Sequence, residues 1–378
     1  MADKLKKKYI ALLRDICLIE TPSGNAENIN KLVDMFERFS KENGYETERF
    51  PFEKSGDFLL VKTGEDTSLK PVLMMAHMDT VHKIGAFGNE IVRREGDWMT
   101  GPGVMDCKGG IATGFCIMEQ IKNICKRPVW LLLTSDEEVS GRYSKAAGYD
   151  IMTDIAKKCA AVLNLEPGVR DKVTVGRKGI LKMRAEITGV SGHAGNAYFE
   201  AASAIREAAN MVLEIENMSK KGGVTYNCGI INGGTSANVI PDLCVMEVDI
   251  RVSTLDEMAE AEKLMYEAAK RCVVKNTKRK VSVITKRPPM KVTDANLKLL
   301  DIWNKSAKNL GLSEFSQLIR GGGSDAAYTV LAGVPTLCSC AAVGYNEHTL
   351  DEKLDLSTLC ERAALLCEVI KNIGEISL

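Results

Sequence analysis

The sequence predicts an α/β protein: a larger domain on a mixed, largely parallel sheet flanked by helices, carrying an inserted two-layer α+β domain of the split βαβ kind. Three observations support this. Short apolar runs at 72–76, 129–133 and 160–165, each bounded by Gly, Pro or charge, have the length of buried strands and are separated by helical segments. Near residue 180 the pattern changes to strand, helix, strand, strand, helix, strand. After Pro288 and Pro289 it returns to α/β character.

Taken in order, residues 5–20 and 26–43 read as helices, the second with Ile29, Leu32, Val33 and Phe36 at helical spacing. A helix is expected over 110–122. The strand at 180–190 alternates with one wet face. A helix at 199–218, strands at 224–231 and 243–252, a helix at 255–274 and a strand at 280–285 complete the insert. Then follow a helix at 294–310, the glycine run Gly321 to Gly323, a helix from Ser324 and a strand at 334–340. The expected domains are residues 1–178 with 288–378, and the insert 179–287, which is long enough for its own core.

Composition excludes several classes of function. Lys plus Arg and Asp plus Glu are each 50, so the net charge is zero and gives no general attraction for nucleic acid or an anionic membrane. The basic run at 276–280 reads as a solvated loop. No apolar run approaches the roughly 18 residues of a membrane span. The N-terminal segment lacks a cleavage-site pattern and reads as an amphipathic first helix. Twelve scattered cysteines with no CxxC pair fit free thiols in a reducing cytosol, so a cytoplasmic protein is expected.

Three apolar strands run into acids or histidine. His77 and Asp79 follow the first, Asp136, Glu137 and Glu138 the second, and Glu166 the third. Ligands of open α/β sheets bind at the carboxyl ends of strands. Carboxylates gathered there repel one another, and a divalent cation is the simplest neutraliser. His77 and Asp79, two apart, can point the same way, although a structural histidine gives the same pattern. In GPGVMDCKGG, at 101–110, a dinucleotide loop would want glycine where Asp106 stands; a carboxylate there suits a metal, or an ordinary turn. Glu137 and Glu138 could supply one metal ligand and one general base, or form a surface acid pair. His348, in GYNEHTLDE, could join only through tertiary folding, and alone reads as a structural histidine sooner than as a ligand.

Eight segments occur in one order: HMDTV, GPGVMDCKGG, TSDEEVSG, LNLEPG, VSGHAG, GGTSANVIPDLCVMEVDIR, RGGGSDAA and GYNEHTLDEKLDL. Together they resemble the cocatalytic dizinc aminoacylase/carboxypeptidase metallopeptidase family, with the bacterial glutamate carboxypeptidase branch as the nearest match, from the first helix to about residue 367. The resemblance implies two Zn2+ per chain, with Co2+ or Mn2+ as substitutes. His77, Asp106 and Glu166 look like the ligands of one ion, and His348, Asp106 and Glu138 those of the other, with Asp106 bridging. Glu137 falls on the general base and Asp79 on the carboxylate that orients His77. Asp106 would precede a cis bond to Cys107. His193 looks like the histidine that stabilises the oxyanion at the partner subunit's site. Asn238 and Arg251 resemble the residues that bind the substrate carboxylate. Arg177 and Arg320 are further candidates beside a plain surface role, and Gly321 to Ser324 reads as a substrate-lining turn. His82 fits no role and is expected at the surface or rim.

The resemblance implies an exopeptidase that removes a C-terminal, Glu-like amino acid from a small peptide or N-acyl conjugate, and a homodimer formed through the insert. An N-acyl-amino-acid deacylase shares every catalytic residue. An aminopeptidase of this family tends to carry Asp where Glu166 stands. A non-catalytic binding protein on the same fold should have lost the base or a ligand, and none is missing.

Overall fold

The computed structural model describes residues 2–64, 68–122 and 124–373. The chain divides into two units. One comprises the described residues up to Gly176, Val292–Ile319, and those from Ser324 onward; the other is Arg177–Lys291 with Arg320–Gly323.

The first unit is built on a sheet ordered Glu46–Phe50, Phe58–Lys62, Val129–Thr134, Val72–His77, Ala161–Asn164, Thr336–Leu337. Val72–His77 pairs in parallel with both Val129–Thr134 and Ala161–Asn164, and Thr336–Leu337 extends the parallel set. Phe58–Lys62 joins antiparallel to Val129–Thr134, and Glu46–Phe50 antiparallel to Phe58–Lys62. Strands buried on both faces read as continuous apolar runs, and all of Val72–His77 is buried. Alternate side chains serve two cores. Met74, Leu131 and Leu133 pack with Leu13, Phe115, Trp303 and Leu366 from helices Ala2–Cys17, Lys108–Ile121, Asp294–Asn309 and Leu356–Ile373. Leu73, Met75 and Leu132 pack with Met152 and Tyr328 from Lys145–Lys157 and Ala326–Leu331.

The register positions the site. His77 lies opposite Thr134 and Met75 opposite Asn164. Asp136, Glu137, Glu138 and Glu166 therefore follow at the same sheet edge as His77. A second, antiparallel sheet of Arg93–Glu95, Trp98–Thr100, Lys353–Asp355 and Gly344–Tyr345 has no counterpart in the sequence reading. It fixes both ends of the 346–352 loop that carries His348. The strand expected at 334–340 is confined to Thr336–Leu337.

The second unit has a four-stranded antiparallel sheet ordered Thr225–Gly233, Leu243–Val252, Gly179–Thr188, Lys278–Arg287. Helices Ala204–Glu216 and Leu255–Ala268 cover one face, packing Met211, Ile215, Met258 and Met265 on Leu181, Met183, Met246 and Val248. This is the two-layer split βαβ arrangement. The first helix starts at Ala204 rather than 199 because Ser203 caps it, its Oγ accepting from Arg206 N–H at 3.1 Å, while Val190 pairs with Ala202. The second stops at Ala268 rather than 274. The amides of Val273 and Val274 turn away to donate to the buried Glu207 carboxylate.

Candidate active site

His77 ends its strand with Nδ1 donating to the Asp79 carbonyl at 2.9 Å; the Asp79 carboxylate is 3.4 Å away. Asp79, expected to orient His77 through its carboxylate, meets the ring with both its backbone oxygen and, at longer range, that carboxylate. The carboxylate also accepts from the Glu137 N–H at 3.0 Å, the Glu138 N–H at 3.2 Å and Ser23 Oγ at 2.6 Å. One side chain thus holds the glutamate pair at the neighbouring strand end. Asp106 lies between two imidazoles. Its Oδ1 is 3.0 Å from His77 Nε2, and its Oδ2 3.3 Å from His348 Nε2, which is 3.2 Å from Glu138 Oε2. The Asp106–Cys107 bond is cis, as the resemblance implies.

Ligand atoms of Asp106, Glu138 and His348 all lie within 4.8 Å of one another, as do those of His77, Glu137 and Glu166, and those of His77, Asp106 and Cys107. The Cys107 thiol is buried, which raises its pKa well above the usual range, and Sγ donates to the Leu165 carbonyl at 3.0 Å. Its proton is committed to that carbonyl, which leaves the imidazoles and carboxylates as the donors turned to one another.

The remaining donor set fits a divalent cation. His77 uses its Nδ1–H on a carbonyl, so neutral His77 would turn a nitrogen lone pair toward Asp106 oxygen. That approach needs a shared proton or metal. Burial depresses the His77 pKa, but Cys107 and the Asp106 and Asp79 carboxylates outweigh it and hold it well above the ordinary value. His348 is pushed up to about 11 by hydrogen bonds to Asp106 and Glu138. Burial and the nearby Asp106 charge push Glu138 up to about 8. Asp106 is itself buried, yet the two imidazoles hold it below the carboxylate range. Glu138 Oε1 is buried with no hydrogen-bond partner among the described residues, as a carboxylate oxygen aimed at an ion would be.

The other candidates belong to the second unit. His193 is exposed, on the short strand Gly192–His193 that pairs with Val239–Ile240. Its Nδ1 accepts from the N–H groups of Gly195 (3.1 Å) and Asn196 (3.3 Å), which leaves the proton on Nε2 as a donor. The exposed Asn238 lies alongside, its carbonyl accepting from Ala194 N–H at 3.0 Å and its Oδ1 from Ser236 Oγ at 2.6 Å. Arg251 Nη1 donates to Gly321 O at 3.1 Å, and Arg177 Nη1 to Gly323 O at 3.1 Å. Arg320 accepts the Lys178 N–H through its backbone at 2.9 Å. The glycine run thus turns carbonyls toward two of the candidate arginines.

Three residues were missed. Asp249 grips Arg251 with both oxygens, at 2.5 and 3.1 Å; the DIR triplet contained this pairing. Ser23 left no signal. Glu352 lies in the GYNEHTLDE motif, but its carboxylate contacts depend on tertiary folding. His82, expected at the surface or rim, is buried and donates Nε2–H to Glu352 at 2.8 Å. The chain around it is exposed at Val81 and Lys83, but the His82 ring itself packs edge-on against Phe87 and reaches the buried Glu352.

Carboxylates and imidazoles converging at the ends of three parallel strands, in a chain that also carries an α+β unit, define a metal-dependent hydrolase. Residues 73–372 match the model of peptidase family M20/M25/M40. The chain is 30% identical to carboxypeptidase G2 from Pseudomonas sp. (strain RS-16), covering 97% of this chain and 89% of that protein. It is 28% identical to acetylornithine deacetylase of Aliivibrio salmonicida over 66% of this chain and 68% of the relative. A tripeptidase from Staphylococcus aureus superposes with a TM-score of 0.80 at 20% identity, covering 98% and 99% of the two chains. An M20 family metallo-carboxypeptidase from Sulfolobus solfataricus superposes at 0.74 and 14% identity, covering 97% and 99%. The chain belongs to peptidase family M20/M25/M40, and is an enzyme of the metallo-exopeptidase/amidohydrolase type. Among the described residues no helix is long and apolar enough to cross a membrane.

Proposed function

We propose that the protein is a cytoplasmic dizinc carboxypeptidase that releases a C-terminal, Glu-like amino acid from a small peptide or N-acyl conjugate. The supporting observation is Asp106, with one oxygen on His77 and the other on His348. His77, Asp106 and Glu166 would hold one zinc and His348, Asp106 and Glu138 the other; Co2+ or Mn2+ could substitute. Bound there, the ions supply the charge that polarises the scissile carbonyl and acidifies water. Glu137, held by Asp79 through its backbone, takes the proton from the attacking water and delivers it to the leaving amine nitrogen. His193 donates Nε2–H to the carbonyl oxygen as negative charge grows there, acting at the partner subunit's site in a homodimer. Arg251 and Asn238, supported by Arg177 and Arg320, receive the substrate carboxylates; a guanidinium binds such a group through paired hydrogen bonds.

The identity to carboxypeptidase G2 favours this reading. The likeness to acetylornithine deacetylase keeps a second one, an N-acyl-amino-acid deacylase. A panel of N-acyl amino acids and C-terminal-Glu dipeptides, assayed with added zinc, separates the two. Free-acid substrates should be strongly preferred over their α-amides, and Arg251→Ala should erode that preference mainly through KM. Equal cleavage of acids and amides by the wild type would remove the carboxylate pocket from the proposal.

A further inference from the structure

Glu352 is 1% exposed, and its carboxylate hydrogen-bonds the Asp106 loop and His82. Oε1 accepts the N–H of Met105 at 2.9 Å and of Asp106 at 3.1 Å; Oε2 accepts Nε2–H of the buried His82 at 2.8 Å. Carboxylates accepting backbone N–H groups make short, strong, charge-assisted bonds. The Glu352 N–H in turn donates to Thr349 O at 3.2 Å. One residue therefore ties the loop that carries His348 to the peptide that carries Asp106. The next turn is fixed separately: Lys108 N–H donates to Gly103 O at 2.8 Å, and its buried Nζ to Ile19 O at 2.8 Å.

Asp106 must present its two oxygens to two different imidazoles, so a small rotation of its backbone would lose one contact or the other. We infer that Glu352, locked by His82, is a positioning residue of this centre. It fixes the Met105–Asp106 amides, and through them holds the Asp106 carboxylate between His77 and His348. The inference rests on the reading of Asp106 as a shared metal ligand. It assigns a role to His82, and to a glutamate that makes no direct approach to the reacting groups.

Zinc affinity, measured by titration against a chromophoric chelator, tests this alongside steady-state kinetics. Glu352→Ala should bind zinc about 10- to 100-fold more weakly, as loss of a partner behind a ligand does, and lose kcat while KM stays near wild type. Glu352→Gln can still accept both amides through its carbonyl oxygen and should recover affinity to within a few-fold. His82→Ala should show a smaller loss, and His82→Ala with Glu352→Ala no more than Glu352→Ala alone, because His82 acts through Glu352. A merely structural role would lower the Tm of the chelated protein and leave affinity and kcat unchanged; that result overturns the inference. So does Glu352→Gln falling as far as Glu352→Ala, which would mean that the charge and not the position matters. If Glu352→Ala does not fold, Glu352→Asp, one methylene short of the amides, should lose affinity in its place, and wild-type affinity there overturns the inference equally. Asp106→Asn separates the two levels. If it keeps wild-type zinc affinity, the metal reading itself fails. If it loses zinc while Glu352→Ala does not, only the positioning role fails.

Discussion

Glu137 and Glu138 are neighbours in sequence but differ in surroundings. Glu138 has Oε2 at 3.2 Å from His348 and Oε1 buried without a hydrogen-bond partner among the described residues, whereas Glu137 groups with His77 and Glu166. Glu137→Gln is therefore predicted to fold and keep its metal while turnover falls by roughly 10²- to 10⁴-fold, the usual contribution of a general base. Glu138→Gln should weaken metal binding at one position. Metal analysis of both variants checks the assignment, and equal loss of metal would mean that base and ligand are confused. The imidazoles set a pH dependence. His77 and His348 are raised above the ordinary histidine pKa, His348 to about 11, and Glu138 is raised to about 8. Raised folded values favour the protonated forms. Their stabilisation of the chelated protein is complete below the ordinary values and is lost as pH rises toward 8 and then 11. The lowered Asp106 works oppositely, contributing above the ordinary carboxylate range and losing its effect in acid. The chelated protein should thus lose thermal stability between about pH 7 and 10. Metal displaces the same protons, so its affinity should climb over that range and binding at pH 7 should release protons. Calorimetry in two buffers of different ionisation enthalpy measures that release; a heat independent of buffer would contradict it. The sequence showed which residues to examine here, but not how Asp79 divides its contacts, because the strand ends at His77 and alternation no longer dictates direction.

At the scale of elements, the central strands were legible because parallel strands covered on both faces are continuous apolar runs. The small sheet that anchors the His348 loop was not. Its strands have two or three residues, and Arg93–Glu95 is wholly exposed, so no periodicity can develop. The helix expected from 199 began late for a different reason. An alanine-rich segment has helical propensity throughout, but Ser203 as a cap and the Val190–Ala202 pairing decide where the first turn begins. The helix Lys108–Ile121 lies close to the strand end that carries Glu166. A Cβ on Gly110 would sit 2.0 Å from the Leu165 carbonyl and 2.9 Å from Cys107 Sγ. Backbone cannot yield as a flexible side chain does, so Gly110→Ala must push the helix away or displace Leu165 and Glu166. A loss of about 1–3 kcal/mol is expected from such overpacking, together with weakened metal binding. Thermal unfolding of the chelated protein and metal titration give the two quantities separately. Wild-type values for both would show that the contact relaxes without reaching the site.

Contacts across the whole molecule are the least legible from sequence. His348 meets Asp106 only because the 346–352 loop folds back, and no local pattern announces it. Assembly poses the same difficulty one level higher. The second unit ends its sheet in the edge strand Thr225–Gly233, where Ile230 and Ile231 are about half exposed. An uncovered apolar edge strand is a ready pairing surface, and the proposed homodimer would use it. If His193 acts across that pairing, each functional site draws on two chains. His193→Ala should then be nearly inactive while keeping its metal, and Glu137→Gln nearly inactive too. Co-expressing the two variants produces mixed dimers. In each of these, one site combines the intact Glu137 of the His193→Ala chain with the intact His193 of the other chain, and the second site lacks both. Random pairing makes half the dimers mixed, each with one working site of two, so about a quarter of full activity is expected. Differently tagged chains, purified in tandem, establish that mixing has occurred. Activity well above either variant alone then assigns His193 to the partner subunit's site. Proven mixing without recovery would confine His193 to its own chain or to a structural role, and would remove the shared site from the proposed mechanism while leaving the metal cluster and Glu137 untouched.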